Sequence, residues 1–511
     1  MSSIPHNVTH ITDLLVANGY EAFLVGGCVR DTIMGRVPND YDITTNATPS
    51  QIIAAFEQTG LRIVYENNFG TVSIVFEDEP YDSNVREIQI TPYRIEGKYS
   101  DNRHPDEIRF SETIDEDLSR RDFTINAIAL SGGNFVDLYN GQLDIDQKII
   151  RTVGDATSRF TEDALRIMRA IRFAAQLNFA ISSETLEGIE KTKHLLANIS
   201  VERIRDEFVK IIDSDNPGLG MFLMKQLGLL EYVLPEIIPS IDCEQGGVHI
   251  YDVYDHLVYA CQHAADKGFT FHVKLAALFH DIGKPKTRRP GVKKAYTFYG
   301  HEVVGARITE KAMRRMKFST DDITIVTTFV RWHMFFSDTQ LITLSPVRRM
   351  IANVAGLAEI SGYYPADVSR ETAEHPIWDL MRVRECDRVG MNKVEAPYRL
   401  RKYFAMIEDC LRDPISVKQL KIDGNYLMNT LHVSPGPRMG WMLHAMLEEV
   451  IEDPEKNTLE YLTDRVKHYE TLSDDQLREL GMSGKETKER EDEQVVKQLH
   501  VKHNVHKKKH S

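Results

Sequence analysis

Two aspartates one residue apart, Asp40 and Asp42, close the stretch FLVGGCVRDTIMGRVPNDYD. In an extended strand, residues i and i+2 share a face, so these carboxylates are expected to project together. Hard carboxylate oxygens suit Mg²⁺, and paired divalent ions hold an attacking hydroxyl and a leaving pyrophosphate in line. Just upstream, an apolar segment runs into Gly26-Gly27, and a helix is expected to begin near Val29 with Arg30 in its first turn. Glycines let a phosphate approach the backbone, a helix N-terminus offers free N–H groups, and a guanidinium adds a fork of donors. Each piece alone is common, and a lone Asp-x-Asp is most often a solvated turn. Their succession in one short stretch points to nucleotidyl transfer.

Downstream segments supply further candidates. In VREIQITPYR, Glu87 shares a face with Gln89 and could complete the metal site or act as general base. In RRDFTINAIAL, Arg121 suits a triphosphate and Asp122 suits ribose hydroxyls, with a surface salt bridge as the plainer reading. In TEDALRIMRAIRF, Thr161-Glu162 reads as the cap of a helix carrying Asp163, Arg166, Arg169 and Arg172. A carboxylate only accepts and a guanidinium only donates. Asp163 with Arg166 can therefore pair with the amine and bare ring nitrogen of cytosine or adenine, and clashes with uracil and guanine. Steps of three rotate a helix by about 300°, which sets Arg172 about 180° from Asp163 and leaves Arg166 the best placed. An amphipathic helix with a solvated arginine stripe is the competing reading.

A second set lies further along: His256, His280-Asp281, His301, His333 and Asp387. A His-Asp doublet after the apolar run Leu275–Phe279 is costly to bury unless something satisfies it. Imidazoles with carboxylates suit a divalent transition metal, and a bridging carboxylate suits two. Such a centre can activate water for phosphoester hydrolysis.

The elements needed to hold these groups follow from hydrophobic spacing. Ile11–Ala17 reads as an amphipathic helix, and Ala22–Val25, Thr71–Phe76, Ile88–Tyr93 and Ala127–Leu130 read as short strands. From about residue 155 the period is helical nearly throughout. The fold class is an α+β nucleotidyltransferase head, a small mixed sheet with helices, followed by an all-α body containing the His/Asp set. The boundaries expected are 1–155 for the head, 156–240 for a helical neck, 241–390 for the metal domain, 391–470 for a C-terminal helical region and 471–511 for a charged tail read as disordered.

Composition bounds the rest. The chain has 511 residues, is 42% hydrophobic and carries a formal net charge of −14, enough apolar content for real cores and no general coat of positive charge for nucleic acid. Five cysteines, an odd number without a C-x-x-C pair, argue against a disulfide scaffold. No apolar run approaches the roughly 18 residues of a membrane span, and the N-terminus lacks a signal-peptide layout. A cytoplasmic setting is expected.

The segments LVGGCVRD, NDYD, FGTVSI, DLSRRDFTINAIA, DLYNGQLD, TEDALRIMRAIRFAAQLNF and ISVERIRDEFVKI, in that order over roughly residues 20–215, resemble the class II CCA-adding tRNA nucleotidyltransferases and related bacterial poly(A) polymerases. The resemblance implies Mg²⁺ on Asp40 and Asp42, nucleotide contacts from Gly26, Gly27, Arg30, Arg121, Asp122, Arg169 and Arg172, and base selection by Asp163 and Arg166. It implies that Glu202 and Arg203 brace the base-reading helix, and that GKYSDNRHP, Gly97–Pro105, is a flexible loop for switching from C to A. Where the family often carries Glu, this chain has Gln89, so the third acid is Glu87 or none. Residues 245–390 resemble the HD phosphohydrolase domain with its metal set intact. The implied partners are tRNA, CTP and ATP. Poly(A) synthesis, C-only or A-only addition, or a phosphohydrolase with an RNA-binding head are the alternatives.

Overall fold

A computed structural model describes residues 4–66, 70–81, 83–96, 108–246, 250–291, 295–334, 344–360, 376–389, 398–411 and 416–482. The Gly97–Pro105 segment lies outside the described residues. The chain divides into two compact units, Met1–Val233 and Leu234–Ser511.

The first unit is built on strands β1 (Phe23–Val25), β2 (Tyr41–Thr45), β3 (Arg62–Glu66), β4 (Thr71–Val75), β5 (Glu87–Pro92), β6 (Arg94–Glu96), β7 (Ile108–Phe110), β8 (Ala129–Ser131) and β9 (Asn134–Val136). Seven of them form one sheet in the order β3-β4-β5-β2-β1-β8-β9, while β6 and β7 pair separately. Only β2 and β5 run parallel in the large sheet; its other pairings are antiparallel. Along β5, buried Ile88 and Ile90 alternate with exposed Glu87 and Gln89, as one solvated face requires. The buried side packs on helix Pro49–Phe56, whose Ile52 and Phe56 are fully buried. The α+β head followed by helices is as the sequence implies.

The head is more extended than hydrophobic spacing suggests. Strands Arg62–Glu66 and Asn134–Val136 were not read from sequence, because each is a half-exposed strand at an edge of the sheet. Helix Gly27–Ile33 begins at the second glycine rather than near Val29.

Two expectations need correction. Asp163 does not ride on a helix capped by Thr161-Glu162. Helix Ala156–Glu162 ends just before it, and helix Leu165–Leu177 starts after it. Asp163 has extended backbone, φ −137° and ψ 103°, so the rotation counted from it to Arg172 does not apply. The expected disordered tail from 471 also begins too early. Helix Asp474–Met482 is formed, its Leu477 is fully buried, and Gly481 lies so close to Trp441 that a Cβ would sit 2.6 Å from the Trp441 carbonyl oxygen.

The second unit is helical. Helices Val253–Asp266, Phe271–Phe279, His301–Arg315, Thr320–Trp332 and Pro376–Cys386 pack around the His/Asp set. A further apolar cluster, including Ile422, Leu427, Met446, Val450, Leu462 and Tyr469, joins the C-terminal helices.

Candidate functional site

In the head, β2 and β5 set the acidic groups in register. Asp42 pairs with Gln89, and the residues preceding the Tyr41–Ile88 pair are Asp40 and Glu87. Cross-strand partners share a face, so all four side chains lie on the solvated side. Asp40, Glu87 and Gln89 are exposed and Asp42 is half-buried. Burial, and then the neighbouring Asp40 charge, push the Asp42 carboxyl up to about 6, against the pull of Arg121. That excess of negative charge is what a divalent cation would relieve, so Asp40 and Asp42 fit Mg²⁺.

Gly26 brings the Gly-Gly turn to these carboxylates. Its φ of +80° suits glycine, and a Cβ there would lie 3.4 Å from an Arg121 Nη and 4.0 Å from an Asp42 Oδ. The Gly-Gly turn, Arg121 and Asp42 therefore converge. Arg30 is buried and donates to its neighbour Asp31 and, at 2.8 Å, to Asn126.

Arginines gather beside this turn. The guanidiniums of Arg30, Arg169 and Arg172 lie 5.4, 5.4 and 4.4 Å from the centre of the Phe173 ring. Arg169 donates to Asp122 at 2.7 Å, and Arg172 to Glu207 at 3.0 Å. Burial, with Arg169 alongside, lowers Arg172 to about 10. Burial works against the Asp122 charge, yet Arg169 and Arg166 hold its carboxyl at about 2. The rotation that set Arg172 apart is thus offset by the break at Asp163, and Arg172 joins Arg169 around one ring.

Asp163 and Arg166 lie close in the chain, linked by the Arg166 N–H donating to the Asp163 carbonyl at 3.0 Å. Their side chains have other partners. Asp163 accepts from Arg203 at 2.8 Å, and Arg166 donates to Glu162 at 2.7 Å and to the Arg120 carbonyl at 3.3 Å. Glu207 and Asn126 carry no mark in the sequence, and Glu162 is read there only as part of a helix cap. Glu162 stands four residues before Arg166, a helix-surface pairing distance; Glu207 is distant in sequence and carried no such signal.

The six His and Asp residues of the second unit converge completely. His256, His280, Asp281 and Asp387 have ligand atoms within 4.8 Å of one another, as do Asp281, His301 and His333. All six are buried. Asp281 is common to both groups: one oxygen lies 3.5 and 3.3 Å from the Nε2 atoms of His256 and His280, the other 3.0 and 3.7 Å from those of His301 and His333.

Helix ends place most of these ligands. His280 and His333 follow directly on helices Phe271–Phe279 and Thr320–Trp332, His301 opens its helix, and Asp387 follows Cys386. His280, His301 and His333 each turn Nδ1 to the carbonyl three residues back, Ala277, Phe298 and Val330, at 2.7–2.8 Å. His256 turns Nδ1 to the Val389 carbonyl at 3.0 Å. An Nδ1–H donating to a carbonyl leaves the Nε2 lone pair facing inward, the tautomer a metal needs. Gly283 permits the close approach, since a Cβ there would fall 2.1 Å from the His301 carbonyl oxygen. The donor set fits one or two divalent transition ions.

Charge around this centre is arranged to keep the carboxylates ionised. Burial opposes it, yet Lys284 holds Asp281 well below the usual range, and Arg384 does the same for Asp387. Lys284, which the motif reading passed over, is buried, contacts Asp281 and donates to Gln245 at 2.7 Å.

Comparison with known proteins agrees with this division. Residues 22–151 match the poly A polymerase head domain, 178–241 the "Probable RNA and SrmB- binding site of polymerase A", and 247–387 the HD domain. A CCA-adding enzyme of Bacillus velezensis is 42% identical over 218 residues, 42% of this chain and 52% of that protein. One from Lactobacillus gasseri is 47% identical over 216 residues, again 42% and 52%. The chain spans about half the length of the curated relatives it matches. The solved structure of a Bacillus stearothermophilus CCA-adding enzyme in complex with CTP superposes with a TM-score of 0.62 at 22% identity, covering 91% of this chain and 99% of that one, a likeness of fold. Among the described residues no helix is long and apolar enough to cross a membrane. Through its head the chain is similar to CCA-adding enzymes and matches the poly A polymerase head domain, and a match to the HD domain follows behind that head.

Proposed function

We propose that this chain adds C, C and A to the 3′ end of tRNA, using CTP and ATP and releasing pyrophosphate, in the cytoplasm. The observation that carries the reading is the convergence of the Gly26 turn, Arg121 and Asp42 on one solvated sheet face. The sequence identity of the head to CCA-adding enzymes supports the choice of substrate. Asp40 and Asp42 hold Mg²⁺, which supplies Lewis-acid stabilisation of phosphoryl oxygens and of the leaving pyrophosphate. Arg30, Arg121, Arg169 and Arg172 bind the triphosphate, and Asp122 orients the ribose. Glu87 is the side chain available as a third acid, because Gln89 cannot ionise. The tRNA 3′-hydroxyl attacks the α-phosphorus; the O–P bond forms as the α–β anhydride bond breaks, and the hydroxyl proton passes to solvent or Glu87.

Base selection falls to Asp163 and Arg166. A cytosine or adenine exchanges its amine for Arg203 on Asp163 and its ring nitrogen for Glu162 on Arg166. Uracil and guanine cannot make that exchange.

The HD centre is a second active site, a phosphohydrolase acting on RNA 3′ ends or nucleotides. His256, His280, Asp281, His301, His333 and Asp387 hold divalent transition ions there, which supply water activation and phosphoryl polarisation. The alignment of four Nε2 atoms and two buried carboxylates supports this part.

The test is extension of tRNA lacking its 3′ CCA, with Mg²⁺ and CTP, ATP or both. Two C residues with CTP alone, and a terminal A only with both, are expected. Long A tracts from ATP alone would make the chain a poly(A) polymerase and overturn the reading.

A further inference from the structure

Asp117 is fully buried in helix Ile114–Ser119, ahead of the tandem arginines. Its two oxygens are shared out. Oδ1 accepts from Arg120 Nε at 3.0 Å, and Oδ2 accepts from Arg121 Nη2 at 2.9 Å. Arg121 is thereby held by one end only. Its Nε is buried without a hydrogen-bond partner, and its Nη1 borders the point where a Gly26 Cβ would sit, beside Asp42. The backbone carbonyl of Arg120 accepts from Arg166 at 3.3 Å. One carboxylate thus reaches two sides of the nucleotide site through adjacent arginines.

We infer that Asp117 is a positioning residue for nucleotide binding, which fixes Arg121 in the pose that meets the triphosphate beside Gly26 and Asp42 and steadies the Arg120 carbonyl that holds Arg166. The inference rests on the nucleotidyltransferase reading of the head.

The chemistry favours this role over plain structural pairing. A structural ion pair satisfies both partners, whereas Arg121 keeps a buried donor unspent. A guanidinium tethered through one nitrogen is pre-aimed, and in Arg121 the Nη1 beside Gly26 is the donor placed for an anion. Burial opposes the Asp117 charge, but Arg121 and Arg120 hold its carboxyl below the usual range, so the tether stays ionised at neutral pH. An amide at 117 would keep the shape and give up the charge.

The experiment compares wild type, Asp117→Asn, Asp117→Glu, Arg121→Ala and the double variant Asp117→Asn/Arg121→Ala in the full chain. CTP binding is read by calorimetry with Mg²⁺ and no tRNA; transfer to tRNA is read separately, with thermal melting as the check on folding. Asp117→Asn is expected to raise the KM and Kd for CTP and ATP alike by about tenfold, with kcat and the tRNA KM little changed. Asp117→Glu should recover part of the loss. The double variant should bind little worse than Arg121→Ala, since both act through one contact. A lower melting temperature with nucleotide KM and Kd unmoved would overturn the inference and leave Asp117 purely structural; additive losses in the double variant would also overturn it. If Asp117→Asn fails to fold, the Asp117→Glu binding constants decide in its place. A wild type that binds CTP but transfers nothing would sink the proposed function alone, because the binding comparison would still judge Asp117.

Discussion

The head and the HD centre use similar residues in opposite states of readiness. In the HD centre the six ligands already point inward, each imidazole fixed by a backbone carbonyl and every side chain buried. In the head the candidate nucleotide-binding groups are held by other side chains: Asp163 by Arg203, Arg166 by Glu162, Arg169 by Asp122 and Arg172 by Glu207. A metal centre gains from rigidity, because its ligands must meet an ion at fixed distances. Under the proposed function, a site that takes two different bases in turn gains from partners that can be exchanged. The Asp163–Arg203 and Arg166–Glu162 pairs are partly exposed and cost little to break, whereas the buried Arg172–Glu207 pair is the costly one to open.

Breaking the preassembled centre should give the largest effect. Asp281→Ala removes the carboxylate common to both ligand groups, and phosphohydrolase activity should fall by about 10³-fold or more, with loss of transition metal measured by elemental analysis. Normal hydrolysis in that variant would remove the HD assignment. Arg166→Ala should lower discrimination between CTP and UTP by about tenfold, read from the ratio of kcat/KM values; unchanged selectivity would refute base reading by this pair.

The head should also respond to pH through Asp42. Its carboxyl is raised to about 6 in the folded chain, above its unfolded value. The protonated form therefore favours folding at low pH, and that contribution is lost as pH rises through about 6. Mg²⁺ should restore it, so the gain in melting temperature on adding Mg²⁺ should be larger at pH about 7.5 than at pH about 5. An equal gain at both would separate Asp42 from the cation. The smallest effect is expected from Glu162→Gln. Releasing Arg166 from a partly exposed ion pair should shift the CTP KM by less than about fivefold, and a larger change would mean that Glu162 does more than hold Arg166 between nucleotides.

Sequence alone reached the two sites unequally. The HD set was legible because a His-Asp doublet in an apolar run is costly to bury without a metal or a charged partner, and because the remaining residues follow the HD-domain pattern. The β2 carboxylates were legible from the two-residue strand period. The misreading lay at Asp163, where an unbroken apolar period from Ala164 onward hid a break between two helices one residue earlier. Periodicity reports which face is buried, not where backbone hydrogen bonding lapses. Asp117, Glu207 and Lys284 were passed over for a different reason. Glu207 matters through Arg172, 35 residues away and brought to it only by the fold, whereas Asp117 and Lys284 pair at three- and four-residue spacings, where a charge in sequence looks like any solvated one.

The most direct test of two separate centres is Asp42→Ala, with both activities measured on one preparation. Incorporation of labelled CTP into tRNA lacking its CCA end should vanish, while phosphate release from RNA 3′ ends or nucleotides should stay at the wild-type rate. Loss of both activities together in a variant that melts like wild type, or CTP incorporation that survives the substitution, would contradict the account.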